Sequence, residues 1–173
     1  LPLQILWINL LTDSLPAIAL GSDTAEKDIM QLKPRNPEAN IFKELLNFSV
    51  VAGLLSAGVS LLIFFHSVEN DTIEHTRTLM FTTIVVFELF LVFSVRFEDK
   101  HYFTAFFKNH FLFLSVLFSL TLQLLVIYLP FFQNIFKTEP LRFSDWMHIV
   151  LYSLAAILIL EFWKAFQKKT DHV

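Results

Sequence analysis

Three oxygen-bearing side chains stand close together in an apolar N-terminal segment of the sequence: Asn9, Thr12 and Asp13. Their spacing of three and four residues places them on one face of a helix. If that helix crosses a membrane, an aspartate within it is costly unless it faces a cavity, a partner or an ion. Pro16 has no backbone N–H to donate to the carbonyl of Thr12, so the helix is predicted to loosen there. Transporters use helices loosened in this way to present carbonyl and carboxylate oxygens to cations.

Glu88 is a second acid in an apolar setting, because it is the only charged residue in the interval 78–95. Intramembrane acids mark ion or proton paths, and the alternative for Glu88 is a structural hydrogen bond to another helix. For the N-terminal cluster the alternative is an interfacial Asp13 whose neutral neighbours pack against other helices. Carboxylate, amide and hydroxyl oxygens are hard donors that suit Ca²⁺ rather than a soft metal. The two carboxylates could equally carry protons.

The distribution of charge predicts five helices that would hold these side chains. Of the 173 residues, 55% are hydrophobic and 17% are charged, whereas soluble domains average about 45–50% and about 25%. A transmembrane helix needs about 20 mostly apolar residues. The expected fold is therefore all-α. It is a polytopic membrane bundle with helices at about 3–20, 45–66, 78–97, 111–129 and 146–164.

Composition argues against several other classes of protein. The net charge of −3 disfavours a nucleic-acid partner. The absence of cysteine excludes a disulfide framework, a thiolate metal site and a cysteine nucleophile. No two of the six histidines are four residues apart, so spacing predicts no histidine metal site. We therefore expect a lipid bilayer, and no nucleic acid, around this chain.

Positive charge is distributed unevenly over the segments that join the spans. Ten lysines and arginines fall in or beside 22–44, 98–110 and the C-terminal tail, against three in 66–77 and 130–145. By the positive-inside rule the first set of segments is cytoplasmic. The sequence thus predicts one multi-pass membrane domain over 1–173, with a cytoplasmic C-terminus. The loop 22–44 between the first two spans, and 98–110, are predicted to be cytoplasmic.

The first span is similar to a known family. The run Trp7-Ile-Asn-Leu-Leu-Thr-Asp-Ser-Leu-Pro-Ala-Ile-Ala-Leu-Gly21 resembles the sixth transmembrane helix of P-type cation pumps of the Ca²⁺-ATPase type. Asp28-Ile-Met30 and Pro34-Arg35 resemble the loop after that helix, and Leu129-Pro130 resembles part of the segment joining the last two spans. The resemblance implies spans six to ten of a ten-span pump, its C-terminal region. The start at Leu1, without Met, also leads us to expect a piece of a longer chain.

The resemblance implies roles for individual residues. Asn9, Thr12 and Asp13 match the family's ligand pattern in its sixth helix, and Glu88 stands at a ligand position of its eighth. Ca²⁺ is then the transported ion, because Na⁺/K⁺ pumps usually have Asp where Asn9 stands. Thr12 together with Glu88 is similar to the two-site sarco/endoplasmic-reticulum type. Leu91 departs from the pattern, since such pumps often have Asn there.

Three hypotheses about function follow. The first is the membrane part of an ATP-driven P-type cation pump for Ca²⁺ export or sequestration. The resemblance implies that ATP and Mg²⁺ act in the missing N-terminal part, with spans one to five and the cytoplasmic domains, so this chain holds no catalytic residue. The second is a secondary transporter or proton-conducting protein that uses Asp13 and Glu88 as relay carboxylates. The third is a purely structural membrane subunit.

Overall fold

The computed structural model describes residues 1–22, 41–96 and 110–170, and the regular structure in these ranges is helical. The first span consists of α1, a π-helix and α2, which follow one another without a break: Pro2–Trp7, Ile8–Asp13 and Ser14–Gly21. The remaining helices are α3 Ile41–Ser67, α4 Ile73–Arg96, α5 His110–Tyr128, α6 Pro130–Phe136 and α7 Phe143–Thr170.

Five stretches of the described residues are long and apolar enough to cross a membrane. These are Pro2–Gly21, Leu45–Ser67, Ile73–Val95, His110–Tyr128 and Phe143–Gln167. The predicted all-α fold with five spans is therefore confirmed. Most of the predicted loops 22–44 and 98–110 lies outside the described residues.

The spans in α4 and α7 begin five and three residues earlier than the hydropathy pattern predicts, because polar residues extend their first turns. The N-terminus of α4 is capped by Thr72, whose Oγ1 accepts a hydrogen bond from the backbone N–H of His75 at 3.1 Å. In α7, the carboxylate of Asp145 reaches back and accepts the backbone N–H of Arg142 at 2.7 Å. Such caps satisfy backbone donors at a helix start that have no partner within the helix.

The short helix α6 was not predicted, since it lies in a connection between two spans. It starts with Pro130 at its first position, where the missing N–H is not needed. It ends at Phe136, and the C-cap residue Lys137 adopts a left-handed conformation with φ 54°. Immediately afterwards, Thr138 Oγ1 donates to the carbonyl of Val126 at 2.7 Å and so fastens the connection to α5. We call the side of the molecule that holds α6 and the connection 137–142 the α6 end of the bundle.

The central helix of the bundle is α4, with 56% of its most apolar stretch buried against 20–28% in the other spans. One face of α4 packs against α3 and α7 through residues such as Leu79, Val86 and Phe87. Another face packs against the first span, α5 and α6 through Phe81 and Val85, among others. Lipid tails are as apolar as leucine, so close packing and interhelical hydrogen bonds hold such a bundle together.

A polar contact fixes the other end of α4 against α7. Lys164 Nζ donates to the carbonyl of Ser94 at 2.8 Å and forms an ion pair with Glu161 at 2.7 Å. Glu161 also accepts a hydrogen bond from Ser94 Oγ. The start of α4 is tied as well, since the backbone N–H of Glu139 donates to Thr78 Oγ1 at 3.0 Å. Both ends of the central helix thus contact neighbouring elements.

Candidate cation site

The backbone of the first span changes its hydrogen-bonding register at the polar cluster. Residues Ile8–Asp13 form a π-helix between two α-helical stretches. Ser14 Oγ donates to the carbonyl of Asn9, five residues earlier, at 3.0 Å. Pro16 lies within the following turn and is buried. The loosened helix predicted from Pro16 is therefore confirmed, and π-helical turns of this kind occur frequently at functional sites.

The structure describes part of the predicted ligand set in the first span. The side chain of Asn9 is exposed on the surface of the described bundle. The backbone of Thr12 and Asp13 belongs to the π-helix, whereas their side chains lie outside the described part of the structure. Their role as ligands remains a prediction from the sequence.

Glu88 lies in the C-terminal half of α4, and its side chain is half-buried. Phe81 and Val85 precede it by seven and three residues, which places all three on one face of the helix. That face packs against Trp7 and Ile8 of the first span, since these residues belong to the same hydrophobic cluster. Glu88 is thus on the side of α4 that is turned toward the first span.

Two hydrogen bonds show that the first span and α4 start at the same end of the bundle. Gln4 Nε2 donates to the carbonyl of Phe136 at 3.0 Å, and the backbone N–H of Glu139 donates to Thr78 Oγ1 at 3.0 Å. Phe136 and Glu139 are three residues apart at the α6 end. The two spans therefore run in the same direction.

A chain of hydrogen bonds fixes the relative depth of these spans. Trp7 Nε1 donates to Gln123 Oε1 at 3.2 Å, and Gln123 Nε2 donates to Thr82 Oγ1 at 3.3 Å. Asp13 lies six residues beyond Trp7, and Glu88 lies six residues beyond Thr82. At about 1.5 Å of rise per α-helical residue, Glu88 stands about 9 Å beyond Thr82 along α4. The six residues that lead from Trp7 to Asp13 are π-helical and rise less per residue, so Asp13 stands somewhat less far along its span. Positions 13 and 88 are thus at a similar depth.

Gln123 is a positioning residue that the sequence reasoning missed. It is fully buried and joins three helices, because α5 carries it, α1 carries Trp7 and α4 carries Thr82. A signal was present, since Gln123 is the only amide side chain in the uncharged interval 111–129. Nothing in the local pattern indicated which helices it joins.

We expect Gln123→Leu to lower the free energy of unfolding by about 1–2 kcal/mol, because two interhelical hydrogen bonds are lost and Trp7 Nε1–H stays unpaired. Thermal unfolding of the detergent-solubilised protein measures this change. Thr121→Val is the matched control on the same helix, since its hydroxyl is exposed and donates only to the carbonyl of Leu117 in its own helix. Equal stability of the two variants would contradict the assigned role of Gln123.

The structure describes the side chains of two of the four predicted ligands, Asn9 and Glu88. Ca²⁺ takes six to eight oxygen ligands, which is more than these two side chains can supply. Within the described ranges, no group of three or more histidines, cysteines, aspartates or glutamates is close enough to hold a metal ion. A complete Ca²⁺ shell at the predicted site therefore requires oxygens from outside the described side chains.

The five long apolar helices define a class, namely an integral multi-pass membrane protein. Comparison with known proteins then gives the family. The family described as "Cation transporting ATPase, C-terminus" matches residues 1–166, so the chain belongs to this family. The resemblance to P-type cation pumps is thereby confirmed.

Individual relatives agree with the family match. The chain is 38% identical over 162 residues to "Calcium-transporting ATPase" of Bacillus subtilis, which covers 92% of this chain and 18% of the relative. It is 33% identical over 171 residues to human "Calcium-transporting ATPase type 2C member 2", and this match covers 96% of this chain and 18% of the relative. It is 34% identical over 177 residues to "Calcium-transporting ATPase 1" of Saccharomyces cerevisiae, and this match covers 98% of this chain and 18% of the relative. The chain thus spans about a fifth of the length of these relatives.

Proposed function

We propose that this chain is the C-terminal membrane part of an ATP-driven Ca²⁺ pump, in which it supplies cation ligands within the bilayer. The observation that carries the proposal is the π-helix Ile8–Asp13 lying beside the acid-bearing face of α4. A widened helix frees backbone carbonyls for a ligand, and the neighbouring acids supply the negative charge. The calcium-transporting relatives support Ca²⁺ as the cargo.

Each ligand has a defined task in this proposal. Asp13 is the central carboxylate shared between bound ions, Asn9 and Thr12 contribute neutral oxygens, and Glu88 completes one site. The two carboxylates balance the two positive charges of one Ca²⁺, and the charge of a second ion has to be balanced by acids elsewhere in the pump. Glu88 is held at the depth of Asp13 because Gln123 couples the first span to α4 through α5.

The rest of the pump supplies the energy. We propose that spans one to five and the cytoplasmic domains precede this chain and carry out phosphoryl transfer from ATP with Mg²⁺. Phosphorylation there switches the membrane site between an inward state of high affinity and an outward state of low affinity. The residues of this chain bind and release the ion, and they perform no covalent chemistry.

The orientation in the membrane is part of the proposal. The C-terminus and the loops 22–44 and 98–110 face the cytoplasm, because they hold the excess of lysine and arginine. In that orientation the α6 end of the bundle, with α6 and the segment 66–72, faces away from the cytoplasm. Ca²⁺ then enters between the spans from the end where Ser94, Glu161 and Lys164 lie.

Uptake into vesicles tests the pump against the secondary transporter. With the full-length protein reconstituted in lipid vesicles, we expect uptake of radioactive calcium that requires ATP and Mg²⁺ outside. A proton gradient without ATP should drive none. If instead the gradient alone drives uptake and ATP adds nothing, the chain belongs to a transporter that uses its carboxylates as a proton relay, and the pump proposal is wrong.

A further inference from the structure

At the α6 end of the bundle a polar cavity of about 250 Å³ lies between the end of α3, the start of α4 and the first turns of α7. Its polar lining includes two histidines, two aspartates and one arginine: His66, His148, Asp71, Asp145 and Arg142. This cavity is distinct from the cation site proposed above. It borders α4 at Leu79, nine residues before Glu88 and on the face that packs against α3 and α7.

Two histidines that are 82 residues apart in sequence meet at this cavity. The imidazole rings of His66, on α3, and His148, on α7, have centroids 5.2 Å apart and planes inclined by 66°. Their spacing in sequence gave no sign of the pair, because the two rings come from different spans. Two imidazoles bound to one tetrahedral Zn²⁺ through Zn–N bonds of about 2.1 Å have ring centroids separated by about 5 Å.

The nitrogens of both rings are available to a ligand. Within the described residues, neither His66 nor His148 uses its ring nitrogens in a hydrogen bond or an ion pair. Their contacts are with rings: the two histidines touch each other edge to face, and His148 stacks on Tyr152 at 6.0 Å. His66 is exposed, so its ring can rotate about the Cβ–Cγ bond to aim a nitrogen at a shared ion.

The charges around the cavity favour a cation. Two carboxylates line it, Asp71 and Asp145, against the single guanidinium of Arg142. Arg142 contacts Asp71 at 3.2 Å, but its side chain is 68% exposed, so much of its positive charge is hydrated. Asp145 is only 11% exposed, and its Oδ2 lies 3.1 Å from Nε2 of the buried His75. A divalent ion in the cavity gains from both carboxylates without requiring either as a direct ligand.

We propose that His66 and His148 bind a divalent transition metal of the Zn²⁺ type in this cavity. Imidazole nitrogen prefers Zn²⁺, Ni²⁺ or Cu²⁺ to Ca²⁺ or Mg²⁺, which take oxygen ligands. Two nitrogens leave two positions of a tetrahedral ion to water, and the cavity has room for the ion with these waters. Because its two ligands come from α3 and α7, the bound metal cross-links these spans at the α6 end.

Calorimetric titration with ZnCl₂ tests this site in the detergent-solubilised full-length protein, with saturating Ca²⁺ and Mg²⁺ present to fill oxygen sites. We expect one Zn²⁺ per protein. His66→Gln and His148→Gln should each raise the Kd for Zn²⁺ at least about tenfold. The increase in the double variant should not exceed about the product of the two single increases. His110→Gln is the matched control, because His110 is exposed at the start of α5, and its affinity should equal that of the unaltered protein.

Thermal unfolding provides an independent readout. At a Zn²⁺ concentration that just saturates the unaltered protein, Zn²⁺ should raise the Tm of that protein and of His110→Gln by the same amount, and that of His66→Gln and His148→Gln by less. Unchanged Zn²⁺ affinity in both single variants overturns the proposal, as does equal weakening by His110→Gln. Neither result bears on the Ca²⁺ pump, because the titration reports metal binding at the α6 end and not transport.

Discussion

Replacing Asp13 with Asn in the full-length pump should abolish Ca²⁺-dependent phosphorylation from ATP. The substitution keeps the size of the side chain and one oxygen ligand, but it removes the negative charge. In calcium sites the number of charged ligands sets the affinity over orders of magnitude. If Asp13 is shared between bound ions, its loss affects every ion at once. We expect the Ca²⁺ affinity to fall by at least about 100-fold, which corresponds to about 2.7 kcal/mol.

Phosphoenzyme formation at increasing Ca²⁺ concentration measures this effect. Glu74→Gln is the control, since it makes the same carboxylate-to-amide change at an exposed position in the first turn of α4. It should leave the Ca²⁺ dependence unchanged. An Asp13→Asn pump that keeps the affinity of the unaltered protein would falsify the assignment of Asp13 as a ligand. A Tm close to that of the unaltered protein shows that the variant is folded.

The sequence predicted the five spans because membrane helices are defined by a local property, an apolar stretch of sufficient length. The loosened helix of the first span could also be predicted, because it depends on a local property. Pro16 withholds a hydrogen bond from the turn before it, and this effect needs no knowledge of the other helices. The backbone then forms a π-helix over Ile8–Asp13, at the residues where the polar cluster stands.

The features that the sequence did not reveal are those made by residues from different spans. Gln123 looks like one polar residue in an apolar interval, and only packing shows that it joins Trp7 to Thr82. His66 and His148 likewise have no periodic relation, yet their rings lie 5.2 Å apart. The depth of Glu88 relative to the first span is likewise set by contacts between different spans. Hydropathy sets the span that holds a residue, and interhelical contacts set its neighbours.

Glu88→Gln should have the second-largest effect, and its pattern should differ from that of Asp13→Asn. Glu88 lies on the α4 face that packs against the first span, and its carboxylate completes one site in the proposed arrangement. The amide keeps a neutral oxygen at the same position. We expect the affinity of that site to fall at least about tenfold, or about 1.4 kcal/mol. A site made chiefly by the first span should keep its affinity.

Equilibrium binding of radioactive calcium to the full-length protein, without ATP, separates these effects. If the protein holds two ions, as Thr12 together with Glu88 suggests, the Glu88→Gln variant should bind one ion with little loss and the second only weakly. Glu74→Gln, on the same helix and about 20 Å from Glu88 along its axis, should bind as the unaltered protein does. Leu91 stands one turn beyond Glu88, and its apolar side chain, which packs in the cluster with α3 and α7, offers no oxygen to this site. Two intact, high-affinity sites in Glu88→Gln would therefore remove α4 from the ligand shell and leave Glu88 a structural role between helices.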